Sequence, residues 1–291
     1  MIPTLRRTIL DEIVASFGFS KQGWAHYLLA PLFWAPAHTF AHIGARIDTR
    51  IAEKGMPSAA QQLLARFVDD VRVVGKEGIP SEGPLLIASN HPGAYDSIAI
   101  VANLPRQDIK VIVSDIPFLQ NLPAANRHMI YTPAGVSARM GAVRALIRHL
   151  RDGGTALIFP SGKVDPDPDL LPGAEKSLET SSSSLELAIK TVPETRMLVS
   201  IVSGVLAPSC LHNPLTRLIN EPWRQQKLAE VIQVMQQISF GRKFDLQPRI
   251  SFGEPMTAAE LISRTGSDDL HLAILDYARS VLKQHLHPSP I

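Results

Sequence analysis

Pro84-Leu85-Leu86-Ile87-Ala88-Ser89-Asn90-His91-Pro92-Gly93-Ala94-Tyr95-Asp96 is the stretch whose reading decides the fold. Residues 85–88 form a short unbroken apolar run, the pattern of a strand covered on both faces. Pro92 fixes φ and Gly93 then frees it, so the chain turns there. Ser97-Ile98-Ala99-Ile100-Val101-Ala102 continues as a helix, with Asp96 expected as its N-cap. Positions five apart diverge by about 140° on a regular helix. His91 and Asp96 therefore meet only if the turn lies between them, at the mouth of a sheet. An imidazole beside a carboxylate is suited to taking a proton from a hydroxyl, the acid orienting the ring and stabilising its cation. The alternative is that Asp96 only caps and His91 is a solvated loop residue.

The alternation extends both ways. Segments 71–75, 109–113, 129–131, 155–159, 197–202 and 248–252 read as strands. Helices fit 137–151, where Met140, Val143, Leu146, Ile147 and Leu150 share a face, and also 176–190, 221–238 and 257–285; residues 1–68 are helical. This order predicts an α/β fold, a central mixed, largely parallel sheet flanked by helices. The expected division is a helical, membrane-associating segment over 1–60 and an α/β domain over 61–291.

Composition narrows the function. A net charge of +2 over 291 residues gives nucleic acid no support as a partner. Cys210 is the single cysteine, so no internal disulfide forms, and it reads as a small buried apolar residue. No metal is expected. His38 and His42 stand four apart but lack a third ligand. Asp165-Pro166-Asp167-Pro168-Asp169 alternates carboxylates without the glycine of a calcium loop and reads as a rigid exposed loop bordering the site, closed by a Lys163–Asp165 ion pair. Residues 22–45 carry no Lys, Arg, Asp or Glu and hold Trp24, Tyr27 and Trp34. Pro31 and Pro36 interrupt them, which predicts broken helices in a bilayer interface, with a two-helix hairpin packed on the core as the alternative. Phe33, Ala37, Phe40, Ile43 and Ile47 follow helical steps and form an apolar face. No signal peptide is expected at the start.

Phe159-Pro160-Ser161-Gly162-Lys163 closes another strand downstream. With Asn90-His91-x4-Asp96, it resembles the glycerolipid acyltransferase superfamily of the lysophosphatidate acyltransferase type. Ile250-Ser251-Phe252-Gly253-Glu254-Pro255 looks like that family's late strand and turn, so the resemblance runs over about 67–256. It implies a membrane-associated O-acyltransferase of phospholipid biosynthesis. A fatty acyl group would pass from acyl-CoA or acyl-carrier protein to a hydroxyl of a lysophospholipid or glycerolipid-like acceptor. His91 would be the general base and Asp96 its orienter, with no acyl-enzyme and no cofactor beyond the co-substrate. Asn90, Ser161, Gly162, Lys163 and Arg139 would bind substrate. Membrane lipid and the acyl carrier would be the partners, at the cytoplasmic face of a membrane, with the protein peripheral or monotopic.

The departures bear on the acceptor. The family has F-P-E-G-T-R where this chain has Ser161, Lys163 and Val164 in the Glu, Thr and Arg places, and Pro133 stands where a middle arginine is expected. A bidentate guanidinium on phosphate is hard to replace. Either Lys163, Arg127 or Arg139 supplies the charge, or the acceptor presents a bare hydroxyl or a different head group. The rival functions are a non-catalytic lipid-binding protein on a degenerate acyltransferase fold and a lipid or thioester hydrolase.

Overall fold

The computed structural model describes residues 1–16, 24–132, 135–179 and 183–287, with the side chains of 16, 24–29 and 136–138 left aside. Three helices come first: α1 (Ile2–Ser16), α2 (Trp24–Lys54) and α3 (Met56–Phe67). There follow β1 (Arg72–Val74), β2 (Leu85–Ser89), α4 (Asp96–Ala102), β3 (Ile109–Ser114), the short α5 (Pro117–Gln120) and α6 (Pro123–Asn126), β4 (Met129–Thr132), α7 (Val136–Arg151) and β5 (Thr155–Ile158). The chain continues through α8 (Ala174–Leu178), α9 (Ser183–Thr191), β6 (Arg196–Ser203), α10 (Pro208–Leu211), α11 (Pro222–Phe240), β7 (Arg249–Phe252), α12 (Ala258–Thr265) and α13 (Leu270–Leu286). The helix expected over 176–190 is thus two helices, with 180–182 outside the described residues.

The strands form one seven-stranded sheet in the order β1-β7-β6-β2-β5-β3-β4. β2 lies at its centre and pairs in parallel with both β5 and β6. β3 pairs in parallel with β5 and β4. β7 runs antiparallel to β6, and β1 is parallel to β7, so the sheet is mixed and mostly parallel. Every residue of β2 is buried, because alternate side chains enter different cores. Leu85 and Ile87 pack with α3, α4 and residues of α11. Leu86 and Ala88 pack on the other face with α7, α9, α12 and α13. The uninterrupted apolar run seen in sequence is the signature of this two-sided cover.

A third apolar cluster joins α1 and α2 to α5 and α6 through Leu5, Ile9, Ala37, Ala41, Leu122 and Ala125. Asp48 of α2 fastens the joint, accepting the N–H groups of Ala124 and Ala125 at 2.8 Å each. The expected break in this region does not occur: α2 is one helix of 31 residues that contains both Pro31 and Pro36. Each proline removes one backbone bond, but the flanking turns persist where the helix face packs against α1. Ala37 is fully buried on that face, and Phe33, Phe40 and Ile47 pack against the same cluster. No helix of the described residues is long and apolar enough to cross a membrane.

Candidate active site

β2 delivers His91 to the rim where the parallel strands end, the place where ligand loops gather in α/β sheets. Asn90 anchors that delivery. Its amide donates to the Val202 carbonyl and accepts the Val202 N–H, both at 2.8 Å, which locks the end of β2 to β6. Asn90 is buried with both ends of its amide on backbone, so it acts by positioning His91 rather than as the substrate contact the resemblance implied.

The turn after His91 brings Asp96 back to it. The His91 ring donates through Nδ1 to Asp96 Oδ2 at 2.7 Å, with the imidazole one-third exposed and Asp96 fully buried. Asp96 is not the N-cap. Tyr95 occupies that position and Asp96 opens the first turn of α4, one residue further on. There its carboxylate also accepts the N–H groups of Gly93 and Ser97. Its carboxylate is thus held by three donors, the His91 ring and the two backbone N–H groups.

The second block lies beside the first. Phe159 packs its ring on His91, centroids 4.5 Å apart. Gly162 takes a left-handed φ of 64° in the turn, with its N–H on the Phe159 carbonyl. Ser161 donates to Asp165 Oδ2 at 3.0 Å, and the same oxygen accepts the His91 N–H at 2.9 Å. The Asp165 N–H returns a bond to the His91 carbonyl at 2.8 Å. Ser161 therefore fastens the loop through Asp165. Lys163 is exposed and makes no ion pair with Asp165 among the described residues. Arg139 is exposed on the first turn of α7. It follows β4, three strand spacings from β2, about 14 Å along the rim. Pro133 lies outside the described residues.

The acidic loop is corrected outright. Asp165 and Asp167 are buried, not exposed. Asp167 accepts the N–H groups of Asp169, Gly204 and Val205. Asp169 takes Ser203 and Arg249. The carboxylates close backbone amides at the strand ends, and the intervening prolines have no N–H to satisfy.

Residues from α11 complete the site. Gln226 donates to both the Pro92 carbonyl at 2.7 Å and the Asp165 carbonyl at 2.8 Å, tying the two blocks together. Gln233 bonds Val205 and Ala207, and Gln237 bonds Phe67 and Tyr95. Glu230 stands between them against the His91 loop: a Cβ added to Gly93 would lie 3.5 Å from its carboxyl carbon. Beside it is a cavity of about 280 Å³ lined by Ile9, Phe40, Ala94, Phe118, Glu230 and Met235, among others. Ala94 belongs to the His91 loop, so the cavity abuts the site.

Electrostatics follow from this packing. Burial alone works against a charged imidazole, but Asp96, then Glu230 and Asp165, outweigh it and lift His91 to about 9. Burial pushes Glu230 up to about 8, with Asp96 adding to the rise and His91 opposing it. Burial also raises the Asp165 carboxyl.

Part of the chain is similar to a known family. Residues 70–204 match the family model described as Acyltransferase. The crystal structure of the 1-acyl-sn-glycerophosphate (LPA) acyltransferase PlsC from Thermotoga maritima aligns over 99% of this chain and 99% of its own, at 18% identity and a TM-score of 0.47. No curated protein matches the chain. The matched span holds β1 to β6, His91, Asp96 and the second block, so the part of the chain that carries the site is the part similar to the Acyltransferase family.

Proposed function

We propose that the protein is a membrane-associated O-acyltransferase. It moves a fatty acyl group from acyl-CoA or acyl-carrier protein to a hydroxyl of a lysophospholipid or glycerolipid-like acceptor. The observation that carries this reading is the 2.7 Å bond from His91 Nδ1 to Asp96 Oδ2 at the end of the central strand. With Nδ1–H held by the carboxylate, Nε2 keeps its lone pair and takes the proton of the acceptor hydroxyl. The oxygen attacks the thioester carbonyl and forms the new C–O bond. The C–S bond then breaks, and the departing thiolate takes the proton back from the imidazolium. The apolar cavity at Ala94 supports the reading, since it offers room for a fatty chain beside the reacting centre.

The membrane role is supported by Leu32 and Trp34, which are 70% and 46% exposed on α2. The guanidinium of Arg6 lies 5.0 Å over the Trp34 ring, joining a basic and an aromatic group as interfacial segments do. The proposed soluble thioester carrier supports a reaction at the cytoplasmic face.

The test is purified protein with acyl-CoA and a panel of lipid hydroxyl acceptors, products read by mass spectrometry. His91→Ala is expected to lower transfer by about 10²–10⁴-fold, the usual range for loss of a general base. Unchanged transfer in that variant overturns the base assignment. Free fatty acid as the sole product points to hydrolysis, and no turnover on any donor to lipid binding alone.

A further inference from the structure

Four polar residues stripe one side of α11: Gln226, Glu230, Gln233 and Gln237. Their spacing of three and four residues puts them on one helix face, and that face is turned toward the loops of the site. The three glutamines are buried, and each bonds backbone or side chain of those loops. Glu230 differs. Its Oε1 is buried and accepts no hydrogen bond among the described residues. Nearly all buried polar atoms have partners, so an orphan of this kind asks for one. A carboxyl in apolar surroundings is also costly to keep without a donor.

The surroundings say what the partner is. Glu230 lines the apolar cavity beside Ala94, and no Lys or Arg is among the lining residues. Glu12 is the other acid on that wall and already has an interaction of its own. A phosphate entering this cavity would meet two acids and no Lys or Arg on its walls. A hydroxyl or amino group would meet an acceptor in need of a donor. The second block points the same way, since Val164 stands in the place of the family's arginine.

We propose that Glu230 is the head-group reader of this site, taking the hydrogen bond of a hydroxyl or amino group on an acceptor lipid whose apolar part lies in the cavity between α1, α2 and α11. This rests on the acyl-transfer reading and gives its acceptor a class: neutral or cationic at the head, without a phosphate at this position. Glu230 is a specificity-determining residue, placed beside the His91 loop by the same stripe that holds that loop still. Removing a buried polar partner leaves the substrate's donor desolvated and unmatched, which is how such sites discriminate.

The experiment uses the full chain at about pH 9.5, above the values to which His91 and Glu230 are lifted, with acyl-CoA and three acceptors of equal chain length: a monoacylglycerol, a long-chain amino alcohol and a lysophosphatidate. The wild-type protein is expected to favour the first two. Glu230→Leu raises their KM by about 10–100-fold while kcat changes by less than about threefold, and it leaves the KM for lysophosphatidate unchanged or lower. Glu230→Gln keeps a carbonyl oxygen but no charge, so it restores the monoacylglycerol KM and not that of the amino alcohol. If Glu230→Leu does not fold, the selective loss of the amino alcohol in Glu230→Gln is the deciding readout. A wild-type preference for lysophosphatidate, or an equal KM change on all three acceptors, overturns the inference while acyl transfer itself stands. No transfer to any acceptor overturns the proposed function, and this inference with it.

Discussion

His91 is surrounded by acids, and that sets the pH at which it works. A base is competent only when neutral, yet Asp96, Glu230 and Asp165 hold the imidazole protonated up to about 9. Below that value the neutral fraction falls tenfold per pH unit. The kcat/KM of the free enzyme should therefore climb from pH 6 and level off near 9. Asp96→Asn removes the largest attraction for the imidazolium. The plateau then begins at lower pH, and its height drops by about 10²-fold or more because the ring loses its orienting charge. A pH–rate profile of both proteins checks this; a limb near 6.5 in the wild type would mean that the acids do not act on His91 as the geometry requires. A stability prediction belongs to Asp167, which closes the N–H groups of Gly204 and Val205 just after β6 and that of Asp169 in its own loop. Asp167→Ala leaves all three without this acceptor, the Val205 N–H in a buried place, and should cost about 3 kcal/mol, read as a lower urea midpoint.

At the level of elements, α11 is a clamp whose rungs have different duties. Gln226 joins the two site blocks, whereas Gln233 holds the segment after β6. Gln226→Leu should lower stability by about 2 kcal/mol and also lower kcat, because the His91 loop loses its tie to the Asp165 loop. Gln233→Leu should lower stability comparably and leave kcat/KM within about twofold. Denaturant titration paired with steady-state kinetics separates the two. The same helix shows where sequence reading reaches and where it stops. All seven strands are legible, the central β2, β5 and β6 because burial on both faces makes them apolar runs and the others because Gly and Pro punctuate short β-branched segments. His91 and Asp96 are legible because one turn brings them together. The stripe of Gln226, Glu230, Gln233 and Gln237 is not, since polar residues at helical spacing look the same whether they face water or buried carbonyls. Asp165 and Asp167 mislead for a like reason: alternating prolines suggest an exposed loop, while the carboxylates between them are closing strand ends. Pro31 and Pro36 suggest a break that packing against α1 overrides.

Across the whole molecule, the N-terminal helices wall the cavity and carry the apolar edge proposed to meet a bilayer. Ile9, Ile13, Pro36 and Phe40 wall the cavity that abuts the His91 loop, and Leu5, Ala37 and Ala41 are fully buried in the joint with α5 and α6. Deleting residues 1–50 would therefore expose core as well as remove a membrane contact, and weaker liposome binding by such a truncation would not isolate the contact. Leu32 and Trp34 separate the two duties, since both project from α2 into solvent. Leu32→Glu combined with Trp34→Ala removes apolar area from the edge and adds a negative charge, leaving the cavity wall in place. Transfer of one such side chain to an apolar phase is worth about 1.5–3 kcal/mol when complete, and an interfacial helix realises part of this. Co-sedimentation with anionic vesicles should fall by about tenfold or more, with the thermal midpoint little changed. Turnover of a short-chain, water-soluble acceptor should persist, because His91 and Asp96 are untouched. Equal vesicle binding by variant and wild type would show that this edge does not meet the membrane and would leave the exposed Leu215, Leu218 and Trp223 ahead of or at the start of α11 as the next surface to alter.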